Sequence, residues 1–394
     1  MIPAPGPAEL RPALDRLHRL VACETPSYDP GALAAGLALM REELAADGLA
    51  VAPADPALAA AGAVRASYDR GGALTGPPIL VLGHLDTVHP VGELGTNPWR
   101  IEGSRAFGPG ILDMKGGIVL ALEALRRAGP DLARPVEILI TSDEEIGSPR
   151  SRGLIEARAR GAACVLVPEP ARDNGGLVVG RHAILRYALS ASGRPAHAGR
   201  DPGQGVSAIH RLARAIVALE SRSVTGASLS VGVIGGGRWV NCVPERAAAE
   251  MLCVAADAAR RAEIQGIVAA EADERLTAEL ASERPLWRTG AGDRALYDAA
   301  QAAAALLGVA VSPEVSGGGS DGNFTGALGV PTLDGLGPRG AGLHAHDEHL
   351  DLASLGPRIA VMANLLVRVG GEEAVAAART TSARPSHPLT SEPV

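Results

Sequence analysis

Seven acidic and histidine residues in five short motifs carry the chemistry of this chain. They are His84 and Asp86 in GHLDTVHP, Asp113 in GPGILDMKGG, Glu144 and Glu145 in TSDEEIGS, Glu169 in VPEP, and His344 in GLHAHDEHL. Mixed histidine and carboxylate donors without cysteine suit zinc and accept cobalt or manganese. The set is what a hydrolase with two metal ions needs: five ligands, one orienting carboxylate and one general base.

Each motif offers more than one role. His84 and Asp86 alternate along a strand and so share a face; either could ligate while the other steadies it. Asp113 follows a Gly-Pro-Gly turn and precedes a helix, so it is either an N-cap or, with one oxygen to each of two cations, a bridge. Glu144 and Glu145 are adjacent acids that repel unless cations compensate; one fits as a ligand and one as a carboxylate beside a metal-bound water. Glu169 lies between Pro168 and Pro170, which hold it extended. His344 shares its stretch with His346 and His349, and any of the three could ligate.

These groups need a scaffold that gathers distant segments. The runs AVRASYD, PPILVLGH, PVEILITS and ACVLVPE have β character, and KGGIVLALEALRRAG and SPRSRGLIEARARG between them have helical spacing. Apolar strands alternating with helices predict an α/β domain with a mostly parallel central sheet covered on both faces. HLD, SDEE and PEP each close a predicted strand, and open α/β sheets bind ligands at the carboxyl ends of their strands. From residue 179 to 288 the pattern becomes β-β-α-β-β-α-β, opening on LVVGRHAILRYALSASG, which reads as a hairpin. This predicts an α+β module inserted between catalytic segments 1–178 and 289–372, with hinges near 176–181 and 285–292. Residues 373–394, rich in Thr, Ser, Pro and Ala, are expected to form a flexible tail.

Bulk properties exclude other classes. A chain of 394 residues can bury a large core in two domains. A net charge of -7 gives no reason to expect nucleic acid or an anionic membrane as partner. The four cysteines are widely spaced and read as free thiols in a reducing compartment. No secretory leader is visible, and no apolar run approaches the roughly 20 residues of a membrane span. The expected location is the cytoplasm.

The motifs together resemble the co-catalytic di-zinc aminoacylase/carboxypeptidase family, which includes glutamate carboxypeptidases, acetylornithine deacetylases and succinyl-diaminopimelate desuccinylases. GHLDTV, GPGILDMKGG, TSDEEIGS, PEP, GRPAHAG, GGGRWVNCVP, SGGGSDGNF and a final His-x-x-x-Glu recur in family order across roughly residues 10 to 370. The resemblance implies two zinc ions per chain, one bound by His84 and Glu169, the other by Glu145 and His344. Asp113 would bridge them, Asp86 would orient His84, and Glu144 would be the base that deprotonates a water held between the metals. His344 is preferred because Glu348 lies four residues on. The inserted module corresponds to the family's lid, which pairs two subunits. His197 would reach the partner subunit's site, with Asn241 near the same oxygen. One departure stands out. Many carboxypeptidase-type members carry an Asp-x-Arg after the Asn-x-x-Pro motif, whose arginine grips the substrate carboxylate. The stretch Glu250-Met251-Leu252-Cys253-Val254 has none. Arg284, Arg288, Arg238, or backbone N–H groups near Gly318 and Ser320, could hold that anion instead. The expected activity is glutamate-carboxypeptidase-like cleavage of a small peptide or amide. N-acyl amino acid deacylation is the alternative, and a non-catalytic relative a further one.

Overall fold

The computed structural model describes residues 1–53 and 55–371; the expected tail at 373–394 lies outside the described residues. The chain divides into two compact units. The first comprises Met1–Val179, Arg288–Glu314 and the chain from Phe324 onward; the second comprises Gly180–Trp287 and Val315–Asn323.

The first unit is built on a six-stranded sheet in the order Ala50–Val51, Val64–Tyr68, Val136–Thr141, Ile79–His84, Cys164–Leu166, Thr332–Leu333. The last four strands of that order run parallel, and the first two attach antiparallel. ILVLGH and VEILIT are buried along their whole length, as strands covered on both faces must be. The helices Gly116–Ala128 and Arg152–Gly161 make the crossovers. Gly116–Ala128 is buried on nearly every side, and its sequence is accordingly apolar almost all round.

Two helices precede the sheet. Arg11–Ala22 buries Ala13, Leu17, Leu20 and Val21, a stripe at helical spacing. Pro30–Ala46 starts with proline in its first turn, and the Asp29 side chain accepts from the amides of Gly31 and Ala32. Glu43 ties the two together, accepting from Arg16 Nε at 2.9 Å and Arg19 Nε at 2.7 Å.

Two expectations need correction. LVVGRHAILRYALSASG is not a hairpin. Leu177–Arg181 pairs with Pro313–Ser316, whereas Ala183–Ser192 lies inside a separate four-stranded sheet. Only His182 separates the two strands, too few residues for a hairpin loop that returns the chain. The closing helix Leu352–Gly370 is, in length and composition, able to cross a membrane, so an apolar run of that size does exist; 72% of its most apolar window is buried inside the protein.

The second unit is an antiparallel sheet in the order Ala227–Gly236, Arg246–Ala255, Ala183–Ser192, Leu276–Arg284. The helices Ala208–Glu220 and Ala258–Glu271 cover one face, burying Leu185, Tyr187, Leu189, Met251 and Cys253. Alternation puts Arg186, Ala188, Ser190, Glu250 and Leu252 on the other. Near the two ends of the unit's Gly180–Trp287 segment, Arg181 and Trp287 exchange both backbone hydrogen bonds at 3.0 Å.

Candidate metal centre

Three adjacent parallel strands deliver their loops to one edge of the first unit's sheet. His84 is the last residue of its strand and lies in register with Thr141, and Val81 is in register with Leu166. Glu144 and Glu145 follow Thr141, and Glu169 follows Leu166. A fourth segment, the tight turn Ile111–Lys115, brings in Asp113 with extended backbone angles (φ -112°, ψ 93°). Asp113 is therefore no N-cap; the helix beyond it begins without a side-chain cap. The bond from Asp113 to Met114 is cis. His344 arrives from between two short strands, Gly340–Ala341 and His349–Asp351, with left-handed backbone (φ 62°).

The donor atoms form two groups around one carboxylate. Asp113 Oδ1 is 3.2 Å from His84 Nε2, and Glu169 Oε1 is 3.7 Å from the same nitrogen. Asp113 Oδ2 is 3.4 Å from His344 Nε2, which is also 3.4 Å from Glu145 Oε2. His84, Asp113 and Glu145 offer ligand atoms within 4.8 Å of one another, a group that could hold a metal ion. The other two histidines point elsewhere. His346 Nδ1 meets Glu93 Oε1 at 2.6 Å, and His349 faces the carbonyl of Asp347 and packs against Phe107.

Asp86 does more than its sequence position suggested. Its backbone carbonyl is 3.0 Å from His84 Nδ1, closer than its carboxylate at 3.4 Å. The carboxylate accepts from Ser27 Oγ at 2.7 Å and from the amides of Glu144 at 3.1 Å and Glu145 at 3.2 Å. It thus sets the backbone of both acids as well as flanking the ring. Ser27 gave no signal in the sequence, since a serine after Thr-Pro reads as an ordinary turn. Glu144 is itself 7% exposed.

The charge balance favours a cation. Burial and the adjacent Asp113 push Glu169 well above the usual carboxylate range, and the same two causes raise Glu145. Burial opposes ionisation of Asp113 too, but hydrogen bonds from His344 and His84 hold it low. Burial opposes protonation of His84, yet its hydrogen bonds to Asp113 and Asp86 raise it well above the usual imidazole value. His344 is raised to about 10 by hydrogen bonds to Asp113 and Glu145. The cluster thus calls for positive charge, which divalent cations would supply. The donor set fits such ions.

The remaining candidates lie in the second unit. His197 is exposed and bridges to Cys242. Its Nδ1 accepts from the amides of Gly199 at 3.2 Å and Arg200 at 3.1 Å, which leaves the ring hydrogen on Nε2. Asn241 is exposed and accepts from the Ala198 amide through its carbonyl. The amides of Gly318 and Ser320 already donate to Ser316 Oγ and Asn323 Oδ1. These two N–H groups are engaged within their own loop. Arg284 is buried and donates to Asp321 Oδ1 at 2.9 Å, whereas Arg288 and Arg238 are exposed. Arg186 stands directly opposite Leu252 in the strand ladder, on the face away from the helices. A cavity of about 990 Å³, lined by Ser190, Arg238, Trp239, Arg246 and Arg275 among others, contains none of the acidic cluster. Volume alone therefore misses the chemistry here, which is carried by the donor set.

Comparison with known proteins fits this geometry. Residues 80–368 match peptidase family M20/M25/M40. The chain is 30% identical over 375 residues to carboxypeptidase G2 of Pseudomonas sp. (strain RS-16), covering 90% of this chain and 88% of that protein. It is 32% identical over 311 residues to the succinyl-diaminopimelate desuccinylase of Halorhodospira halophila (strain DSM 244 / SL1), covering 71% and 80%. Among solved structures, a tripeptidase from Staphylococcus aureus superposes with a TM-score of 0.69 at 22% identity, covering 91% of this chain and 98% of that one. An M20 family metallo-carboxypeptidase from Sulfolobus solfataricus gives 0.71 at 16% identity, covering 91% and 99%; at these identities the two structures speak for the fold. The chain belongs to peptidase family M20/M25/M40 and is a hydrolase of carbon–nitrogen bonds.

Proposed function

We propose that this protein is a zinc-dependent hydrolase that cleaves a C-terminal peptide or amide bond of a small substrate, with glutamate-carboxypeptidase-like activity. The observation that carries the reading is Asp113, whose two oxygens each face a different histidine, at 3.2 Å and 3.4 Å. His84 and Glu169 would hold one zinc and Glu145 and His344 the other, with Asp113 shared; cobalt or manganese could substitute. Such ions polarise the scissile carbonyl and acidify a water. Glu144 takes that water's proton and returns it to the departing nitrogen. Asp86 fixes the His84 ring and the backbone of both glutamates. His197, with its hydrogen on Nε2, would donate to the carbonyl oxygen as charge develops, and Asn241 would assist.

Residues 179–288 would serve as the lid and dimerisation module, with His197 supplied by the partner subunit. The strand Ala227–Gly236 is at the sheet edge and exposes Val233 and Ile234, and Trp239 and Val240 beyond it are exposed; a second copy would cover them. Arg186, beside Leu252, takes the place of the missing strand arginine. The similarity to carboxypeptidase G2 over nearly the whole chain supports cleavage at a C-terminal peptide bond. The similarity to desuccinylases supports N-acyl amino acid deacylation as the second reading. An intact Glu144 argues against a purely binding role. No partner other than substrate and a second copy is proposed, and the cytoplasm is the proposed location.

The test is metal content and hydrolysis on one preparation. Substrates are N-acetyl, N-succinyl and N-benzoyl amino acids and glutamate-terminated dipeptides, with Glu144→Gln as control. Two zinc per chain with turnover lost in the variant is the expected result. A protein that binds no metal in the presence of excess zinc would overturn the reading.

A further inference from the structure

Glu348 is 1% exposed and takes no part in the proposed chemistry, yet its carboxylate accepts four hydrogen bonds. Oε2 receives the Gly110 amide at 2.8 Å and His89 Nε2 at 2.8 Å. Oε1 receives the amides of Leu112 at 2.8 Å and Asp113 at 3.0 Å. A carboxylate facing amides accepts, so His89 is the donor in its pair. The backbone carbonyl of Glu348 also accepts, from Asn97 Nδ2 at 3.2 Å and the Gly108 amide at 3.3 Å.

Three chain segments meet on this side chain. His89 follows His84 by five residues, Gly110–Asp113 is the turn that carries the shared carboxylate, and Glu348 follows His344 by four. The turn needs such a partner. Asp113 and Met114 leave helical geometry, so a helix ladder cannot satisfy the amides there. A second tie runs alongside: His346 reaches Glu93, and Glu24 accepts from the amides of Gly92 and Leu94. The stretch from His89 to Asn97 is thereby held against the loop of His344.

We infer that Glu348, with His89 as its outer leg, is a positioning residue that presets the spacing of Asp113 relative to His84 and His344 before any cation arrives. The inference rests on the metal reading above. Glu348→Gln keeps the shape but turns one acceptor into a donor facing N–H groups, which repel it. Partners outside the ligand set typically tune metal affinity by about 10–100-fold, and that loss is expected for E348Q. His89→Gln removes one leg and is expected to weaken binding less, with little further effect in the E348Q background.

The experiment titrates the chelated full-length chain with cobalt(II), read by the visible absorption of the bound ion, for wild type, E348Q, H89Q and the double variant. Thermal unfolding of the chelated proteins, and kcat and KM at saturating metal, are measured alongside. A weakened affinity, an altered cobalt spectrum and a lowered kcat at nearly unchanged KM, with wild-type unfolding, support the assignment. E348Q with the wild-type spectrum and affinity overturns it. Where chelated E348Q unfolds early, H89Q decides: a spectrum and affinity like wild type overturn the assignment, and a change in both supports it. A wild-type protein that takes up no cobalt overturns the metal reading itself, and this inference with it.

Discussion

Replacing Gly117 with alanine should damage both the fold and the site. A Cβ at this position would sit 1.8 Å from the backbone carbonyl oxygen of Pro168. Real Cβ contacts are essentially never under 3.0 Å, so the helix Gly116–Ala128 and the Pro168 backbone must part by about 1.2 Å. The obstacle is main chain, which cannot rotate aside. Overpacking costs about 1–3 kcal/mol, and backbone on both sides puts this case at the upper end. Alanine returns up to about 1 kcal/mol of helix propensity, leaving a net loss of about 2–3 kcal/mol. The displacement falls next to Glu169 on one side and the Asp113 turn on the other. A misplacement of about 1 Å at reacting groups can lower turnover by about 10²-fold. The control is Gly153→Ala in the helix Arg152–Gly161, where an added Cβ meets nothing within 4 Å; it should be neutral or stabilise by up to about 1 kcal/mol. Urea unfolding, zinc affinity and turnover of both variants are the assay. G117A that is as stable as G153A, with wild-type metal binding and turnover, would refute the reasoning.

Four further outcomes are expected. Glu144→Gln should retain its metal and lose about 10²–10⁴-fold in kcat, measured with zinc content on the same sample. Glu43→Gln should destabilise by about 1–2 kcal/mol at neutral pH, less than a fully buried pair would, because Arg19 is half exposed and Arg16 keeps Asp47. Burial alone would raise Glu43, but its hydrogen bonds to Arg19 and Arg16 hold it below the usual range. Its contribution is therefore complete above the ordinary glutamate pKa and lost as pH falls through the depressed one, so wild type and variant should converge in acid urea titrations. His197→Ala and Glu144→Gln should each be inactive alone and recover part of the activity when mixed and re-associated; no recovery counts against a histidine supplied in trans. Arg186→Ala should raise KM for glutamate-terminated substrates while kcat changes little.

Strand ends were legible in the sequence because buried parallel strands are nearly continuous apolar runs, and HLD, SDEE and PEP each interrupt one with charge. Asp113 was ambiguous because an aspartate before Lys-Gly-Gly looks like a cap. Its role depends on backbone angles in the turn that no periodicity encodes. The three histidines at 344, 346 and 349 could not be ranked by residue type. The structure separates them by left-handed backbone at His344 and by Glu93, distant in sequence, which takes His346. Glu348 was visible only as a spacing, and His89 as one more polar residue in its motif, because their meaning is a contact across the chain. The short strands Arg100–Glu102, Arg105–Phe107, Gly340–Ala341 and His349–Asp351 form a sheet of their own. At two or three residues each they are too brief for alternation to register.

The backbone pair of Arg181 and Trp287 bears on how this chain comes apart. Because Arg181 and Trp287 hydrogen-bond each other through their backbones, the chain between them is one loop closed at its base. The entropy of closing a loop grows only with the logarithm of its length. Melting the sheet within that loop raises the chain entropy without separating its ends while the Arg181–Trp287 pair holds. Calorimetry should resolve two transitions in place of a single melting temperature, with G117A and E43Q shifting one of them and leaving the other where it was.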